Sequence, residues 1–209
     1  MFDIEYKGGN TVVIATKKSK LISDPKLSLV GLKDVEPKGM VSLATESRFE
    51  VPSADATLHI EGPGEYEVGD FSIRGISAQR HLDADGLGST MYRIEIGEVR
   101  IALLGNIGPK LSEEQLEGLG VVDIVIIPVG GGGYTLDATA AATLVRQIDA
   151  KVIIPVHYAD KALSYEVPQD DFEVFHKELG GEVESVDKLK VKAASSLPLV
   201  LTVYKLTRS

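Results

Sequence analysis

The stretch from residue 121 to residue 158, VVDIVIIPVGGGGYTLDATAAATLVRQIDAKVIIPVHY, constrains the fold most strongly. Val121–Val129 and Lys151–Val156 are short apolar runs rich in β-branched residues, which is typical of strands buried on both faces. The alanine-rich run Ala138–Ile148 between them has high helix propensity. Because a connection through one helix returns the chain beside its start, we expect the two strands to be neighbours in one sheet.

Glycines and a histidine follow these two strands at their carboxyl ends. Gly130–Gly133 come after the first strand, and His157 comes after the second. Because ligand sites in open α/β sheets gather at the carboxyl ends of strands, we expect Gly130, Gly131 and His157 to open onto one crevice. We expect Asn106 to face the same crevice, since it also follows a predicted strand that ends in a glycine turn. The glycine run either makes a turn only or cradles an anion with its N–H groups beside a helix N-terminus.

The remaining chain predicts two β-rich halves, with helices mostly in the second half. Helices are predicted from Ser112 to Leu119 and from Gln169 or Asp170 to Leu179. This order indicates two packed sheets covered by helices, a four-layer αββα sandwich of the α/β class. No Pro/Gly/Ser-rich linker divides the 209 residues, so we expect a single domain over residues 1–209. The other predicted strands cover residues 2–6, 11–16, 41–44, 57–60, 65–68, 71–76, 91–96, 99–104, 183–186, 189–191 and 199–206.

Composition limits the partners and the setting. A net charge of −9 argues against binding to nucleic acid or to an anionic membrane, because both need clustered Lys and Arg. The chain has no cysteine, which excludes disulfides and thiolate zinc sites. The start MFDIEYKGG lacks the basic and apolar regions of a signal peptide, and no apolar run is long enough to span a membrane. We therefore expect a cytoplasmic protein with no nucleic-acid or membrane partner.

Five segments carry a resemblance to a known family: LISDP (Leu21–Pro25), EGPGEYEVGDFSIRGI (Glu61–Ile76), RIEIGEVRIALLGNIG (Arg93–Gly108), LSEEQLEGLGVVDIVIIPVGGGGYTLDATAAATLV (Leu111–Val145) and AKVIIPVHY (Ala150–Tyr158). They resemble a small bacterial branch of the metallo-β-lactamase-fold hydrolases. The resemblance implies the αββα fold and one or two divalent metals, usually zinc, which lower the pKa of a bound water for attack. It also implies a ligand set made of an H-x-H-x-D-H motif, a further His, a bridging Asp and a last His.

The chain departs from this ligand set at several places. The H-x-H-x-D-H motif should follow the strand at residues 41–44, where the chain instead reads Thr45-Glu46-Ser47-Arg48-Phe49-Glu50. Asn106 replaces the bridging Asp, and Gly8-Gly9-Asn10 stands where the family often has Gly-His-Ser. His157 matches the last His. His81 lies about one residue from the place of the middle ligand, where Arg80 competes for the alignment.

These departures leave two alternatives for the segment after residue 44 and two for the function. Glu46, Arg48 and Glu50 either form an ion pair that fills the former metal cavity or belong to a solvated loop. We expect a non-catalytic relative with no cofactor, whose crevice binds an unknown ligand or protein partner.

The alternative function is a hydrolase with an atypical mononuclear site. It would hold one zinc or other divalent metal weakly on His157 and His81, with Asp83, Asp85 or Glu46 as further ligands. Whether Gln79–Ser89 covers the crevice stays open at this stage.

Overall fold

Two mixed β-sheets packed face to face form the frame of the protein. The structure is a computed structural model that describes residues 1–82 and 88–209. Its strands are β1 (Phe2–Gly8), β2 (Thr11–Thr16), β3 (Lys20–Ser23), β4 (Val41–Leu43), β5 (Leu58–Ile60), β6 (Gly64–Val68), β7 (Phe71–Gln79), β8 (Gly88–Ile96), β9 (Val99–Leu103), β10 (Ile124–Pro128), β11 (Val152–Val156), β12 (Glu182–Val186), β13 (Leu189–Val191) and β14 (Thr202–Leu206). The α-helices are α1 (Glu113–Leu119), α2 (Ala138–Ile148) and α3 (Phe172–Leu179).

The strand order defines a six-stranded and an eight-stranded sheet. The smaller sheet runs β13-β1-β2-β3-β4-β5, and the larger one runs β12-β14-β11-β10-β9-β8-β7-β6. In the larger sheet, β9, β10, β11, β14 and β12 pair in parallel, whereas β6 to β9 pair antiparallel. The predicted fold class, two mixed sheets with flanking helices, is confirmed. None of the described helices is long and apolar enough to cross a membrane.

The two apolar runs expected to be neighbours do pair. Strand β10 runs parallel to β11, with Ile124 opposite Val152 and Pro128 opposite Val156. Every residue of both strands is buried, which explains their uninterrupted hydrophobicity. Helix α2 connects them and begins after Asp137, whose side chain accepts a hydrogen bond from the N–H of Ala140 at 2.8 Å.

The inner faces of the two sheets share one hydrophobic core, and the helices cover a second. The second core lies between the outer face of the larger sheet and the apolar sides of α1, α2 and α3. The inter-sheet core joins strands from both ends of the chain, so the sheets depend on each other for burial. Its members include Ile4, Ile14, Leu21 and Leu43 from the smaller sheet and Ile94, Leu103, Ile126 and Ile154 from the larger one.

Some predicted boundaries are wrong, mainly where strands carry polar residues. Gln79 and Ser89 were expected in a loop, but β7 extends to Gln79 and β8 begins at Gly88. Residues 83–87 of that expected loop lie outside the described part of the chain. Helix α3 begins later than predicted, after Asp171. Strand β14 begins at Thr202 because the three preceding residues, predicted as strand, are not paired into the sheet.

Truncating a leucine in the inter-sheet core should destabilise the fold far more than truncating one on the surface. We expect Leu21→Ala to lower the free energy of unfolding by about 2–5 kcal/mol, since Leu21 is fully buried. The same change at Leu199, which is 93% exposed, should stay within about 0.5 kcal/mol of wild type. Urea denaturation measures both variants, and equal midpoints would contradict the assigned core.

Candidate functional site

Asn10, Asn106 and His157 form a buried hydrogen-bonded chain at the carboxyl ends of β9 and β11. Asn10 Nδ2 donates to Asn106 Oδ1 at 2.9 Å, and His157 Nδ1 lies 3.0 Å from Asn10 Oδ1. Asn10 follows β1 of the smaller sheet, whereas the other two residues follow strands of the larger sheet. The structure thus brings Asn106 and His157 into one crevice through Asn10, which was not among the predicted site residues.

These hydrogen bonds determine which ring nitrogen of His157 carries the proton. Because Asn10 uses its amide N–H for Asn106, its oxygen accepts from His157, and Nδ1 carries the imidazole proton. Nε2 then has a free lone pair and no hydrogen-bond partner in the described part of the protein. Burial, and to a smaller extent the charge of Arg48, lower the pKa of His157 to about 3. His157 is therefore neutral at physiological pH.

The backbone at His157 is held in an unusual conformation. Its φ of 51° lies in the left-handed region, which a side chain with a Cβ atom rarely adopts. The N–H of His157 donates to the carbonyl of Gly9 at 2.9 Å, so the first turn of the smaller sheet fixes this conformation. Strained backbone of this kind costs about 1–3 kcal/mol and is common at functional sites.

The segment after β4 contributes an ion-pair cluster, which is one of its two predicted alternatives. Glu46 Oε2 lies 2.9 Å from Arg48 Nε and 2.6 Å from Arg80 Nε. Glu46 is buried, whereas both arginines are partly exposed. Glu50 does not join this cluster, because its carboxylate lies 3.6 Å from His59 Nδ1. The cluster therefore places two guanidinium groups on one buried carboxylate.

Arg80, not His81, is directed to this cluster. The ring of His81 faces the backbone instead, with Nδ1 3.2 Å from the carbonyl oxygen of Ile107. His81 and His157 thus make no contact with each other through any bond that the structure describes. In the sequence, Arg80 and His81 were both candidates for the position of the family's middle ligand. In the structure they are adjacent residues after β7 whose side chains point in different directions.

Aromatic rings hold Arg48 in place. Its guanidinium carbon lies 4.6 Å from the ring centroid of Phe49 and 4.8 Å from that of Tyr134. Arg48 also donates a hydrogen bond to the Tyr134 hydroxyl. A cation over two aromatic faces gains about 0.5–2 kcal/mol, so these contacts hold Arg48 between Phe49 and Tyr134.

Asp24 lies behind the ion-pair cluster and was not among the predicted site residues. Its carboxylate accepts from the N–H and the hydroxyl of Thr45, both at 2.7 Å. Complete burial raises the pKa of Asp24 to about 7, although the bonds from Thr45 oppose this shift. Its φ is 47°, so Asp24 and His157 are both left-handed residues at strand ends. The Asp-Pro pair after β3 was the available sequence signal.

The first two glycines of the run have structural reasons for their identity. A Cβ atom on Gly130 would lie 2.2 Å from the carbonyl oxygen of His157. Gly131 has a φ of 67°, and its N–H donates to the carbonyl of Leu136 at 3.0 Å. These contacts favour the turn interpretation of Gly130 and Gly131, since they hold β10 and β11 close together.

The crevice beside His157 is nearly filled by side chains. A cavity of about 20 Å³ remains, which is enough for about one water molecule. The ring of Tyr165 covers His157 at a centroid distance of 4.8 Å. The cavity is lined by Leu29, Val30, Phe49, Tyr134, His157, Tyr165, Glu166, Val167 and Gln169.

The described residues do not supply the ligand set of a metal pair. Among residues 1–82 and 88–209, no three His, Cys, Asp or Glu side chains are grouped so that they could hold a metal ion. His157 is hydrogen-bonded to the neutral amide of Asn10, which is bonded in turn to the neutral amide of Asn106, and Glu46 already pairs with two cations. Two residues offered as ligands of a mononuclear site, Asp83 and Asp85, lie outside the described residues.

Comparison with known families identifies the class of protein. The family model described as the beta-lactamase superfamily domain matches residues 3–157. Because this match covers most of the chain, the protein belongs to that family. The resemblance seen in the sequence is thereby confirmed at the level of family and fold.

Individual relatives agree with this assignment. A UPF0173 protein of Pyrococcus furiosus is 32% identical over 120 residues, which are 57% of this chain and 51% of the relative, so the chain spans about half of that relative. A Thermotoga maritima crystal structure assigned to the Zn-dependent hydrolases of the metallo-beta-lactamase superfamily has a TM-score of 0.77 and 22% identity, covering 99% of this chain and 100% of that one. Igni18, a metallo hydrolase from Ignicoccus hospitalis, has a TM-score of 0.64 and 16% identity, covering 85% and 90% of the two chains. Both solved structures are similar to this protein in fold alone.

Adding a methyl group at Gly130 should disturb the contact between the strand ends. We expect Gly130→Ala to lower the free energy of unfolding by about 1–3 kcal/mol or more, because the clash is with backbone that cannot rotate away. Gly62→Ala is the matched control, since a Cβ atom there meets nothing within 4 Å. Thermal and urea denaturation compare the two, and a Gly130 variant as stable as the control would contradict the geometry.

Asp24 and His157 should give opposite pH dependences of stability. Between about pH 4 and 6.5, folded Asp24 holds a proton that the unfolded chain releases, so its contribution falls as pH rises. Unfolded His157 binds a proton that the folded protein does not, so its contribution falls as pH drops below 6.5. Each slope is about 1.4 kcal/mol per pH unit, and the two cancel.

Single variants separate these slopes. Relative to wild type, His157→Gln should lose stability as pH rises from 4.5 to 6.5, and Asp24→Asn should gain it. Urea unfolding at three pH values within this range measures both trends. If the difference in free energy of unfolding between each variant and wild type did not change with pH, Asp24 and His157 would have the same pKa in the folded and unfolded chains. That result would contradict the prediction.

Proposed function

We propose that this protein is a non-catalytic relative of the metallo-β-lactamase-fold hydrolases, whose crevice serves binding or regulation. The observation that carries the proposal is the pairing of Glu46 with Arg48 and Arg80. Glu46 and Arg48 follow β4, where the H-x-H-x-D-H motif of the family would stand, and Arg80 reaches them from the end of β7. We also propose that residues 1–209 form a single domain, since the inter-sheet core contains residues from Phe2 to Leu206.

Electrostatics support the loss of a metal pair. Two dications a few ångströms apart repel by several kcal/mol even at an effective dielectric constant of about 20. A bridging carboxylate normally offsets this repulsion, but the residue at the bridging position is the neutral Asn106, whose oxygen already accepts from Asn10. The two guanidinium groups on Glu46 would repel a metal further. Both charge and ligand count therefore oppose a dinuclear centre.

The shape of the crevice also supports a role other than hydrolysis. The remaining cavity of about 20 Å³ is far smaller than the 300–1,000 Å³ typical of small-molecule sites. Arg48, Tyr134 and Tyr165 occupy the space around His157. A substrate and an activated water could not enter together without displacement of these side chains.

One observation favours the alternative, a hydrolase with one weakly held metal. His157 Nε2 belongs to the residue that matches the family's last His, is buried, and has a free lone pair with no partner among the described residues. A single imidazole gives weak affinity, because stable zinc sites use three or four ligands. Further ligands for this alternative would have to come from His81, Asp83, Asp85 or Glu46.

Metal analysis tests the proposal directly. Protein purified without added metal, then dialysed against zinc, should contain well below two tightly bound zinc ions per chain by elemental analysis. Asn106→Asp should not restore a pair, because the segment after residue 44 still offers no histidine. Close to two zinc ions per wild-type chain would overturn the non-catalytic proposal, whereas one ion lost from His157→Gln would favour the mononuclear alternative.

A further inference from the structure

We infer that the cavity beside His157 is the recognition pocket for a neutral ligand that presents a hydroxyl or amide hydrogen-bond donor. This inference rests on the proposed binding role of the crevice and adds the chemical class of the ligand. It follows from the two unpaired polar atoms at the cavity, from the charge of its walls and from its size.

Two residues that line the cavity carry buried hydrogen-bond acceptors that have no partner in the described residues. They are His157 Nε2 and Gln169 Oε1, and both are buried. Because His157 Nδ1 donates its proton to the oxygen of Asn10, Nε2 remains an acceptor. The Gln169 amide N–H donates to the carbonyl of Val167 at 3.0 Å, which leaves its oxygen as the second acceptor. A buried polar group without a partner costs about 1–3 kcal/mol, so a donor here would be bound favourably.

Charge then selects among donors. An anion offers acceptors only, and it would meet the lone pairs of His157 and Gln169. A cation would meet the guanidinium of Arg48, which packs on the Tyr134 ring that forms one wall. Glu166 also lines the rim, but it is exposed, so water and salt screen its charge. A neutral donor meets neither penalty.

Size and wall chemistry define the rest of the ligand. A cavity of about 20 Å³ holds one hydroxyl group, and Leu29, Val30 and Val167 provide apolar walls beside it. A longer alkyl chain needs the ring of Tyr165 to move. That ring is held by its contact with His157 and by a hydrogen bond from its hydroxyl to the carbonyl of Tyr158 at 3.1 Å. The cavity therefore suits the hydroxyl group of a neutral aliphatic alcohol, whose alkyl chain would lie outside the cavity or displace the ring of Tyr165.

Nitrogen NMR of the imidazole of His157, with three ligands of equal chain length, tests the inference. In the free protein, the spectrum should show a proton on Nδ1 and none on Nε2. Butan-1-ol should shift the Nε2 resonance and bind at least tenfold more tightly than butylammonium or butyrate. A proton on Nε2, no shift up to the solubility limit, or equal binding of a charged homologue would each overturn the inference.

Two variants link binding to the assigned contacts. Gln169→Leu removes one acceptor and should weaken butan-1-ol binding at least threefold, while Gln147→Leu on the exposed side of α2 should leave it unchanged. Tyr165→Ala enlarges the cavity and should favour hexan-1-ol over butan-1-ol. Unchanged binding in the Gln169 variant would overturn the inference. The zinc analysis is unaffected by these results, so a failed ligand assignment is distinguishable from a failed non-catalytic proposal.

Discussion

The contact between the inner faces of the two sheets is the constraint on which the rest of the structure depends. Neither sheet can bury its apolar residues alone, because each inner face is covered only by the other. This packing brings the turn after β1 against the carboxyl ends of β9 and β11. The hydrogen bond from His157 N–H to the Gly9 carbonyl then fixes the distance between the sheets at this edge.

Polar groups at that edge must find partners, because the same packing removes them from water. Asn10 donates to Asn106 and accepts from His157, and Thr45 donates twice to Asp24. Each of these bonds joins segments far apart in sequence. The site is therefore a product of the sheet packing: the apolar core sets the distances, and the polar residues at its rim take the partners that those distances allow.

This division explains what the sequence predicted and what it did not. Strands β10 and β11 were predictable because burial on both faces leaves an uninterrupted apolar run. For the segment that contains Glu46, the sequence left two alternatives open, an ion pair or a solvated loop. It could not decide between them, because Arg80 comes from another sheet and the direction of its side chain depends on tertiary packing. Asn10 was noted only as part of a departure from the family's Gly-His-Ser, because asparagine after two glycines is common in hairpin turns and does not by itself indicate a buried role.

The charge at the rim connects the ion-pair cluster to the histidine. A buried carboxylate such as Glu46 is costly unless cations neutralise it, and guanidinium groups do so with fixed charge and directional N–H groups. The position that brings Arg48 to Glu46 also places it on the Tyr134 ring, where its charge disfavours a proton on His157. His157 thus keeps a neutral ring and a free lone pair without a metal to hold it in that form. Under the proposed function, Arg48 and Arg80 stand in place of the metal charge that activates a water in the family's hydrolases. The crevice then offers hydrogen-bond acceptors to a neutral ligand.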